Sequence, residues 1–208
     1  YLWMVPHDPE GLITLLGGDE PFTRRLDSLF LVSSELNEGA SPDISGLIGQ
    51  YAHGNEPSHH TAYLYAFAGE QWKTAEKVRF ILDHLYHDGT DGLCGNEDAG
   101  QMSAWYLFSS LGFYPVNPSN GVYVLGSPLH EEATLHLPNG KDFTVKAHGN
   151  SPRNIYIQSA RLNGQPYKKS YITHRDILSG GLLELEMGST PEKSFGKAPG
   201  ERPRTDPQ

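Results

Sequence analysis

The chain has 208 residues, 37% of them hydrophobic and 20% charged, which is typical of a soluble globular protein with one good core or two small ones. Its formal net charge of -9 argues against a nucleic-acid backbone as partner, because no basic patch offsets the acidic excess. No apolar run is long enough to span a bilayer. The chain begins at Tyr1 without an initiator Met or a signal-peptide pattern, so we expect a segment of a longer protein that carries no targeting signal itself.

The first half of the chain has the apolar periodicity of helices. Asp8 and Pro9 predict the N-cap and first position of a short helix that Gly17 and Gly18 end. Residues 38–53 are mostly Gly, Ser, Pro, Asn and other polar types, and they predict a long loop of a kind that is often functional. The predicted helices cover residues 9–18, 21–32, 60–68, 71–86 and 101–111.

From residue 122 the period changes to that of β-strands, which are expected at 122–125, 133–137, 143–147, 154–160 and 182–187. Asn-Gly pairs at 139–140 and 163–164 predict turns between them. We therefore predict an α+β chain. Its helical part covers residues 1–117 and a small antiparallel β region covers 118–196. Residues 197–208, which are rich in Pro and charge, are expected to form a mobile tail.

Residues 54–60, Gly-Asn-Glu-Pro-Ser-His-His, place an amide and a carboxylate side by side before a predicted helix. Asn55 and Glu56 offer the hard oxygen ligands that calcium prefers. Glu56 and Ser58 could instead cap the following helix, with Pro57 stiffening its entry. The residues alone leave both interpretations open.

Residues 95–105, Gly-Asn-Glu-Asp-Ala-Gly-Gln-Met-Ser-Ala-Trp, follow a Gly-rich turn and lead into an aromatic-rich helix. Asp98 precedes that helix, and capping is the commoner role for a carboxylate in such a place. The two motifs together supply two separated carboxylates in polar and aromatic surroundings, which is what hydrolysis of a glycosidic bond requires. Asp98 is therefore also a candidate catalytic group.

Aromatic and histidine residues accompany both motifs. Trp3 offers a flat face to a sugar, with core packing as an equal alternative, and His7 with Asp8 reads from the pattern alone as a helix-capping turn. Adjacent histidines on a helix face different ways and no partner residue has zinc-ligand spacing, which argues against a zinc site at His59. His59 is instead a candidate for hydrogen bonding to a sugar, with a purely structural role as the alternative. The single Cys94 excludes an internal disulfide and fits as a small residue in a turn.

The residues of these motifs and their order along the chain resemble those of the calcium-dependent α-mannosidases of glycoside hydrolase family 92. The resemblance extends to residues 3–8, Trp-Met-Val-Pro-His-Asp, and 111–116, Leu-Gly-Phe-Tyr-Pro-Val, and it covers nearly everything from residue 1 to 196. It implies part of an α/α toroid followed by the β region, within a longer inverting exo-α-mannosidase. That enzyme would use Ca2+, hydrolyse terminal α-1,2-linked mannose, and be secreted or periplasmic.

The resemblance also assigns roles to single residues. Asp98 corresponds to the general base that activates water, and Asn55 and Glu56 correspond to ligands of a calcium ion that holds sugar hydroxyls. Some members carry a second Asp where this chain has Asn96, which leaves Asp98 as the better base candidate. The residues that correspond to the sugar site are Trp3, His7, Asp8 and His59.

The expected partners are a mannose-containing glycan and the N-terminal part of the same enzyme. In the family, the general acid resembles a Glu in the segment just before the equivalent of Tyr1, so we expect it outside this chain. Two other functions stay open: a carbohydrate-binding or structural segment without catalysis, and an α/α-toroid glycosidase of other sugar specificity. Binding of mannosides without turnover would favour the first, whereas calcium dependence and mannose selectivity would separate the second.

Overall fold

A computed structural model describes residues 2–41 and 44–205. The helical elements are α1 (Pro9–Leu15), α2 (Asp19–Leu31), α3 (Gln71–His84), α4 (Gln101–Leu111) and α5 (His174–Ser179), with 3-10 helices at Glu56–Ser58, Thr61–Ala68 and Pro199–Glu201. Four of the five α-helices match predictions from the sequence; α5 was not predicted. Within the described ranges, none of the helices is both long and apolar enough to cross a membrane.

Local sequence signals account for the first two helices. The Asp8 carboxylate accepts a hydrogen bond of 2.9 Å from the Gly11 N–H, which confirms it as the N-cap of α1. In α2, Phe22, Leu26 and Phe30 recur at helical spacing and are buried in the helical core. Each helix therefore has the capping or apolar pattern that its sequence predicts.

The segment predicted as a helix over 60–68 is instead the 3-10 helix Thr61–Ala68. All eight of its residues are buried, so it has no solvent-facing stripe and fills the centre of the helical core. It ends at Gly69 in the left-handed conformation, with φ 76°, and α3 then packs against it.

The loop predicted over 38–53 contains a short hairpin, so that prediction is wrong in part. Strand β1 (Leu47–Ile48) pairs with β2 (Tyr51–Ala52) in antiparallel fashion. Gly49 makes the turn with φ 62°, where a Cβ would lie 2.4 Å from the Leu29 carbonyl oxygen. Pro42 and Asp43, also within the predicted loop, lie outside the described residues.

The remaining described strands form two sheets. A five-stranded sheet has the order β5-β6-β10-β7-β8, and a three-stranded sheet has the order β3-β4-β9. The strands are β3 (Phe113–Tyr114), β4 (Val122–Leu125), β5 (Glu132–His136), β6 (Asp142–His148), β7 (Tyr156–Leu162), β8 (Gln165–Tyr167), β9 (Tyr171–Thr173) and β10 (Gly181–Gly188).

The β region is mixed rather than antiparallel, which corrects the prediction. Strand β10 runs parallel to β6, with Leu183 opposite Val145, and antiparallel to β7. Strands β7, β8 and β9 and helix α5 lie between β6 and β10 in the chain, and β10 occupies the place between β6 and β7 in the sheet. A connection of this kind permits parallel pairing, which a two-residue hairpin cannot.

Two hydrophobic clusters meet at β3. Phe113 belongs to the cluster of the sheets, whereas its neighbour Tyr114 belongs to the cluster of the helices. The alternation of side chains along a strand explains how consecutive residues serve both clusters. The division into domains at residue 117 stays a prediction.

Residues 197–205, predicted to be part of a mobile tail, pack against the helices instead. Arg202 forms an ion pair of 2.8 Å with Asp19 and donates to the Lys197 carbonyl. The Thr205 N–H donates to the Glu10 carboxylate at 2.8 Å. The composition of the segment concealed these partners, which are far away in sequence; residues 206–208 lie outside the described residues.

Arg79 joins the helical part to the β region. It is buried in α3, and its Nη2 donates to the Asn150 side-chain oxygen at 2.7 Å and to the Pro128 carbonyl. The side chain thereby satisfies two acceptors from segments more than forty residues away in sequence. Its loss would leave both acceptors unpaired in a buried place.

We expect Arg79→Met to lower the free energy of unfolding by about 2–4 kcal/mol, because each buried group left without a partner costs about 1–3 kcal/mol. Arg25→Met on the exposed surface of α2 is the matched control and should stay within about 0.5 kcal/mol of wild type. Urea unfolding followed by circular dichroism measures both. Equal stabilities of the two variants would contradict the role of Arg79 in joining the helical part to the β region.

Candidate active site

A cleft with a volume of about 490 Å3 lies between the chain start, the 54–60 motif and α4. Most of its lining is apolar and contains several prolines. Its polar lining residues are His7, Glu56, His60, Gln101 and Tyr114. An apolar cleft with a few converging polar groups is the usual form of a small-molecule site.

Glu56 is held by a tight turn at the edge of this cleft. It opens the 3-10 helix Glu56–Ser58, and the Ser58 hydroxyl donates to the carbonyls of Ala52 at 2.5 Å and Asn55 at 2.7 Å. The Ser58 side chain therefore binds carbonyl groups rather than helix N–H groups, and no side chain caps Thr61–Ala68. The capping interpretation of Glu56 and Ser58 is wrong.

Glu56 Oε2 is buried and has no hydrogen-bond partner among the described residues. An unpaired carboxylate oxygen in such a place is costly, and a cation is one of the few groups that can satisfy it. The neighbouring Asn55 is exposed and lines a second cavity of about 220 Å3, which shares Met4 and Pro57 with the first.

The residues present suit calcium as a partial ligand set. The unpaired oxygen of Glu56 and the exposed amide of Asn55 are both hard ligands. The described residues contain no group of three or more His, Cys, Asp or Glu side chains that would hold a metal ion alone. Carbonyl groups, water, substrate or other parts of the protein would have to complete the coordination.

Asp98 lies on an exposed turn immediately before α4. The N-cap of this helix is Gly100, and the capping interactions come from Glu97, whose carboxylate accepts from the Ser103 N–H at 3.0 Å and from the Ser103 hydroxyl at 2.7 Å. These two hydrogen bonds lower the pKa of Glu97. Glu97 therefore caps the start of α4 through Ser103. Asp98 does not line the cleft.

The turn that presents Asp98 is strained. Asp98 has φ 47° and Ala99 has φ 58°, both in the left-handed region, and Gly100 follows with φ 93°. Left-handed backbone at a residue with a side chain costs about 1–3 kcal/mol and concentrates at functional sites. The Gln101 N–H holds the turn by donating to the Asp98 carbonyl at 3.2 Å.

The three predicted sugar-site residues near the chain start have different surroundings. His7 is exposed and lines the cleft. Trp3 packs edge-on against Phe22 at 5.6 Å and opens to the smaller cavity. Asp8 lines neither cavity and caps α1, as the pattern alone indicates. Of these residues, only His7 lies in the larger cleft.

His59 lies below the cleft rather than in its lining. The ring is 1% exposed and stacks on His53 with centroids 4.7 Å apart. Its Nε2 donates to the His53 carbonyl at 2.9 Å, and its Nδ1 meets the Gln101 amide nitrogen at 3.1 Å. His59 therefore reaches the cleft through Gln101, and the predicted direct contact with substrate does not fit this position.

A second hydrogen-bond chain runs beneath this pair. The Tyr51 hydroxyl donates to His53 Nδ1 at 2.7 Å, and His53 Nε2 donates to the Tyr86 hydroxyl at 2.7 Å, which itself donates to the Met102 carbonyl. Burial, and then the neighbouring His59, lower the pKa of His53 to about 2. The His53 and His59 imidazoles are therefore neutral at pH 7. Their hydrogen bonds support the start of α4 from below.

Three polar residues of the cleft escape prediction from the sequence. Gln101 and Tyr114 stand in the motif neighbourhoods but carry no spacing signal of their own. His60 lines the cleft, and its Nε2 donates to the Trp3 carbonyl at 2.5 Å. Only the fold shows that these side chains converge, because they come from three separate segments.

Acid should destabilise the fold through His59. Burial is the main cause that lowers its pKa to about 4, from 6.5 in an unfolded chain. Between pH 6.5 and 4 the unfolded state binds a proton that the folded state does not, so stability is lost as pH falls through that range. The loss reaches about 1.4 kcal/mol per pH unit.

His59→Gln should therefore show a shallower decline of unfolding free energy between pH 7 and 4.5 than wild type. His53, which stacks on His59, and His60, which lies next to it, are the other buried histidines that face this region, and they remain in the variant. Denaturant unfolding at several pH values gives both slopes. Identical slopes would show that His59 does not stay neutral in the folded protein.

Comparison with known proteins places this arrangement in a family. A sequence profile of the glycosyl hydrolase family 92 catalytic domain matches residues 1–189. An uncharacterized secreted glycosidase of Arthroderma benhamiae is 36% identical over 197 residues, which is 93% of this chain and 23% of that protein.

Two solved structures from Bacteroides thetaiotaomicron are also similar. The family GH92 α-mannosidase BT3965, in complex with mannoimidazole, has 43% identity and a TM-score of 0.92 over 97% of this chain and 26% of its own. The family GH92 inverting mannosidase BT2199 has 45% identity and a TM-score of 0.86 over 98% of this chain and 29% of its own. This chain spans about a quarter of the length of these relatives. On the match over residues 1–189, the chain belongs to glycosyl hydrolase family 92.

Proposed function

We propose that this chain is part of an exo-acting α-mannosidase that hydrolyses terminal mannosidic bonds with inversion. The observation that carries the proposal is the match, at a TM-score of 0.92 and 43% identity, to an α-mannosidase solved with mannoimidazole. The cleft of about 490 Å3 supports it, because it is lined by the polar side chains His7 and Glu56 of two motifs.

Asp98 is the proposed general base. Its carboxylate would take a proton from a water molecule as the water oxygen attacks the anomeric carbon and the glycosidic bond breaks. The leaving oxygen would take a proton from a carboxylic acid that another part of the enzyme supplies. Inverting enzymes keep such carboxyl groups about 6.5–9.5 Å apart, which leaves room for the water.

The rigid turn at Asp98 suits this role. A base on an exposed turn is accessible to water, and the anchoring of Glu97 to Ser103 fixes the turn beside the start of α4. The helix N-terminus also favours an ionised carboxylate nearby. By resemblance, some relatives carry a second Asp at the position where this chain has Asn96. The Asn96 amide cannot share a proton with Asp98 as a second carboxylate would.

Asn55 and Glu56 are the proposed contributors to a calcium site at the cleft. The unpaired Oε2 of Glu56 supports this assignment. When bound, the ion would supply positive charge that orients and polarises sugar hydroxyls. The two residues themselves would set the position of the ion relative to the cleft, because the turn of Ser58 fixes their backbone.

Further features of the complete enzyme belong to the same proposal. The helices of this chain would form part of an α/α toroid, and the preferred linkage would be α-1,2. The substrate would be a mannose-containing glycan, and the remaining parts of the enzyme would complete the site. A secreted or periplasmic location is supported by the name of the Arthroderma relative.

In the full-length enzyme, Asp98→Asn should lower kcat on a mannobiose by about 10²–10⁴-fold, the usual worth of general acid–base assistance. Asn tolerates left-handed backbone as Asp does, so the melting temperature should change little. Glu97→Gln is the matched control on the adjacent residue. It weakens two hydrogen bonds with Ser103, so it should lower the melting temperature. Its loss of kcat should be much smaller than that of Asp98→Asn.

Turnover near the wild-type level in Asp98→Asn would eliminate Asp98 as the base. Mannoside binding without turnover in the full-length wild type would instead support a carbohydrate-binding protein without catalysis. Turnover of glucosides in preference to mannosides would identify a toroid glycosidase of other specificity.

Glu56→Gln should weaken calcium binding to the full-length protein by about tenfold or more, since a carboxylate ligand is replaced by a neutral amide. Isothermal titration of chelator-treated protein with calcium measures this affinity directly, without reliance on activity. Glu10→Gln, on the exposed start of α1, is the control and should leave calcium affinity unchanged. Calcium affinity of Glu56→Gln equal to wild type would remove Glu56 from the site.

A further inference from the structure

The hydrogen bonds around His59 determine the orientation of the Gln101 side chain. His59 Nε2 lies 2.9 Å from the His53 carbonyl oxygen, and a carbonyl oxygen only accepts, so the ring proton is on Nε2. The neutral ring then has Nδ1 as an acceptor. The Gln101 atom that meets Nδ1 at 3.1 Å must therefore be the donor Nε2.

Both donor hydrogens of Gln101 are occupied inside the protein. Nε2 donates to His59 Nδ1 and also to the Tyr114 hydroxyl oxygen, each at 3.1 Å. The opposite amide atom, Oε1, receives no hydrogen bond from any described residue. Gln101 lines the cleft, so its free acceptor is available to a ligand there.

Tyr114 has the complementary free group. Its hydroxyl oxygen accepts from Gln101, and no acceptor for its own hydrogen occurs among the described residues. The ring is 8% exposed, stacks on Tyr63 with centroids 5.1 Å apart, and lines the same cleft. Burial raises the pKa of Tyr114, so the hydroxyl keeps its hydrogen at neutral pH.

We propose that the Tyr114 hydroxyl and the Gln101 side-chain oxygen form a recognition pair for a hydroxyl group of the sugar in the cleft, with Tyr114 as donor and Gln101 as acceptor. A sugar hydroxyl both donates and accepts, so one hydroxyl, or two adjacent ones, satisfies the pair. The inference rests on the proposed mannosidase function and adds specificity-determining residues to it.

The surroundings favour recognition over simple packing. Apart from its few polar residues, the cleft is lined by carbon-rich side chains such as Phe108 and Val116, which do not compete for the pair. A donor and an acceptor fixed by a buried network lose little freedom when a ligand binds. Sites of this kind reject analogues that lack the recognised hydroxyl, because the protein groups are then left unpaired.

The test uses Tyr114→Phe in the full-length enzyme and a series of mannosides that each lack one hydroxyl, at C2, C3, C4 or C6, of the terminal sugar. On the parent mannoside the variant should lose about tenfold in kcat/KM, the worth of one well-placed hydrogen bond. On one member of the series it should lose less than twofold, because the recognised hydroxyl is already absent. Gln101→Met should show the same selectivity.

Tyr63→Phe is the matched control. It removes the hydroxyl of the stacked ring, which donates to Ser109 inside the core and not to the cleft. It should change kcat/KM by one common factor across the series. A common factor, or no loss, in Tyr114→Phe would overturn the recognition pair and leave the mannosidase function intact. Failure of the wild-type enzyme to cleave any mannoside would overturn both proposals.

Discussion

The buried hydrogen bond from His59 to the carbonyl of His53 determines which atoms donate and which accept in the hydrogen bonds of the cleft. It places the proton on one ring nitrogen, and this placement orders the Gln101 amide and then the Tyr114 hydroxyl. The same pair of imidazoles is joined through Tyr86 to the first turn of α4. Neutral histidines make this possible, because a charged ring would have no acceptor to offer Gln101 and would be costly to bury.

Consecutive carboxylates at the start of α4 have separate tasks. Both carboxylate oxygens of Glu97 accept hydrogen bonds from Ser103 and anchor the turn. Asp98 is exposed and has a left-handed backbone. The anchoring hydrogen bonds offset part of the strain at Asp98. The hydrogen bonds from Ser103 to Glu97 thus fix the turn in which Asp98 lies, and Asp98 itself is exposed to solvent.

Local signals in the sequence predict much of the fold. The N-cap of α1 and the apolar face of α2 are correct because each depends on residues within one or two turns. The parallel pairing of β10 with β6 and the packing of Arg202 on Asp19 depend on contacts between distant segments, which no local pattern encodes. Thr61–Ala68 is buried on all sides, and its uniformly hydrophobic sequence does not distinguish a 3-10 helix from an α-helix.

The candidate site shows the same limit. The motifs identify Glu56 and Asp98, but Gln101 and Tyr114 become meaningful only through the converging cleft. The most direct test is a structure of the full-length protein with a mannose-derived inhibitor such as mannoimidazole. We expect the sugar ring in the cleft beside Glu56, with one hydroxyl between Gln101 and Tyr114, and Asp98 on the side from which water attacks. An inhibitor bound elsewhere, or a cleft filled by another segment of the protein, would contradict the account.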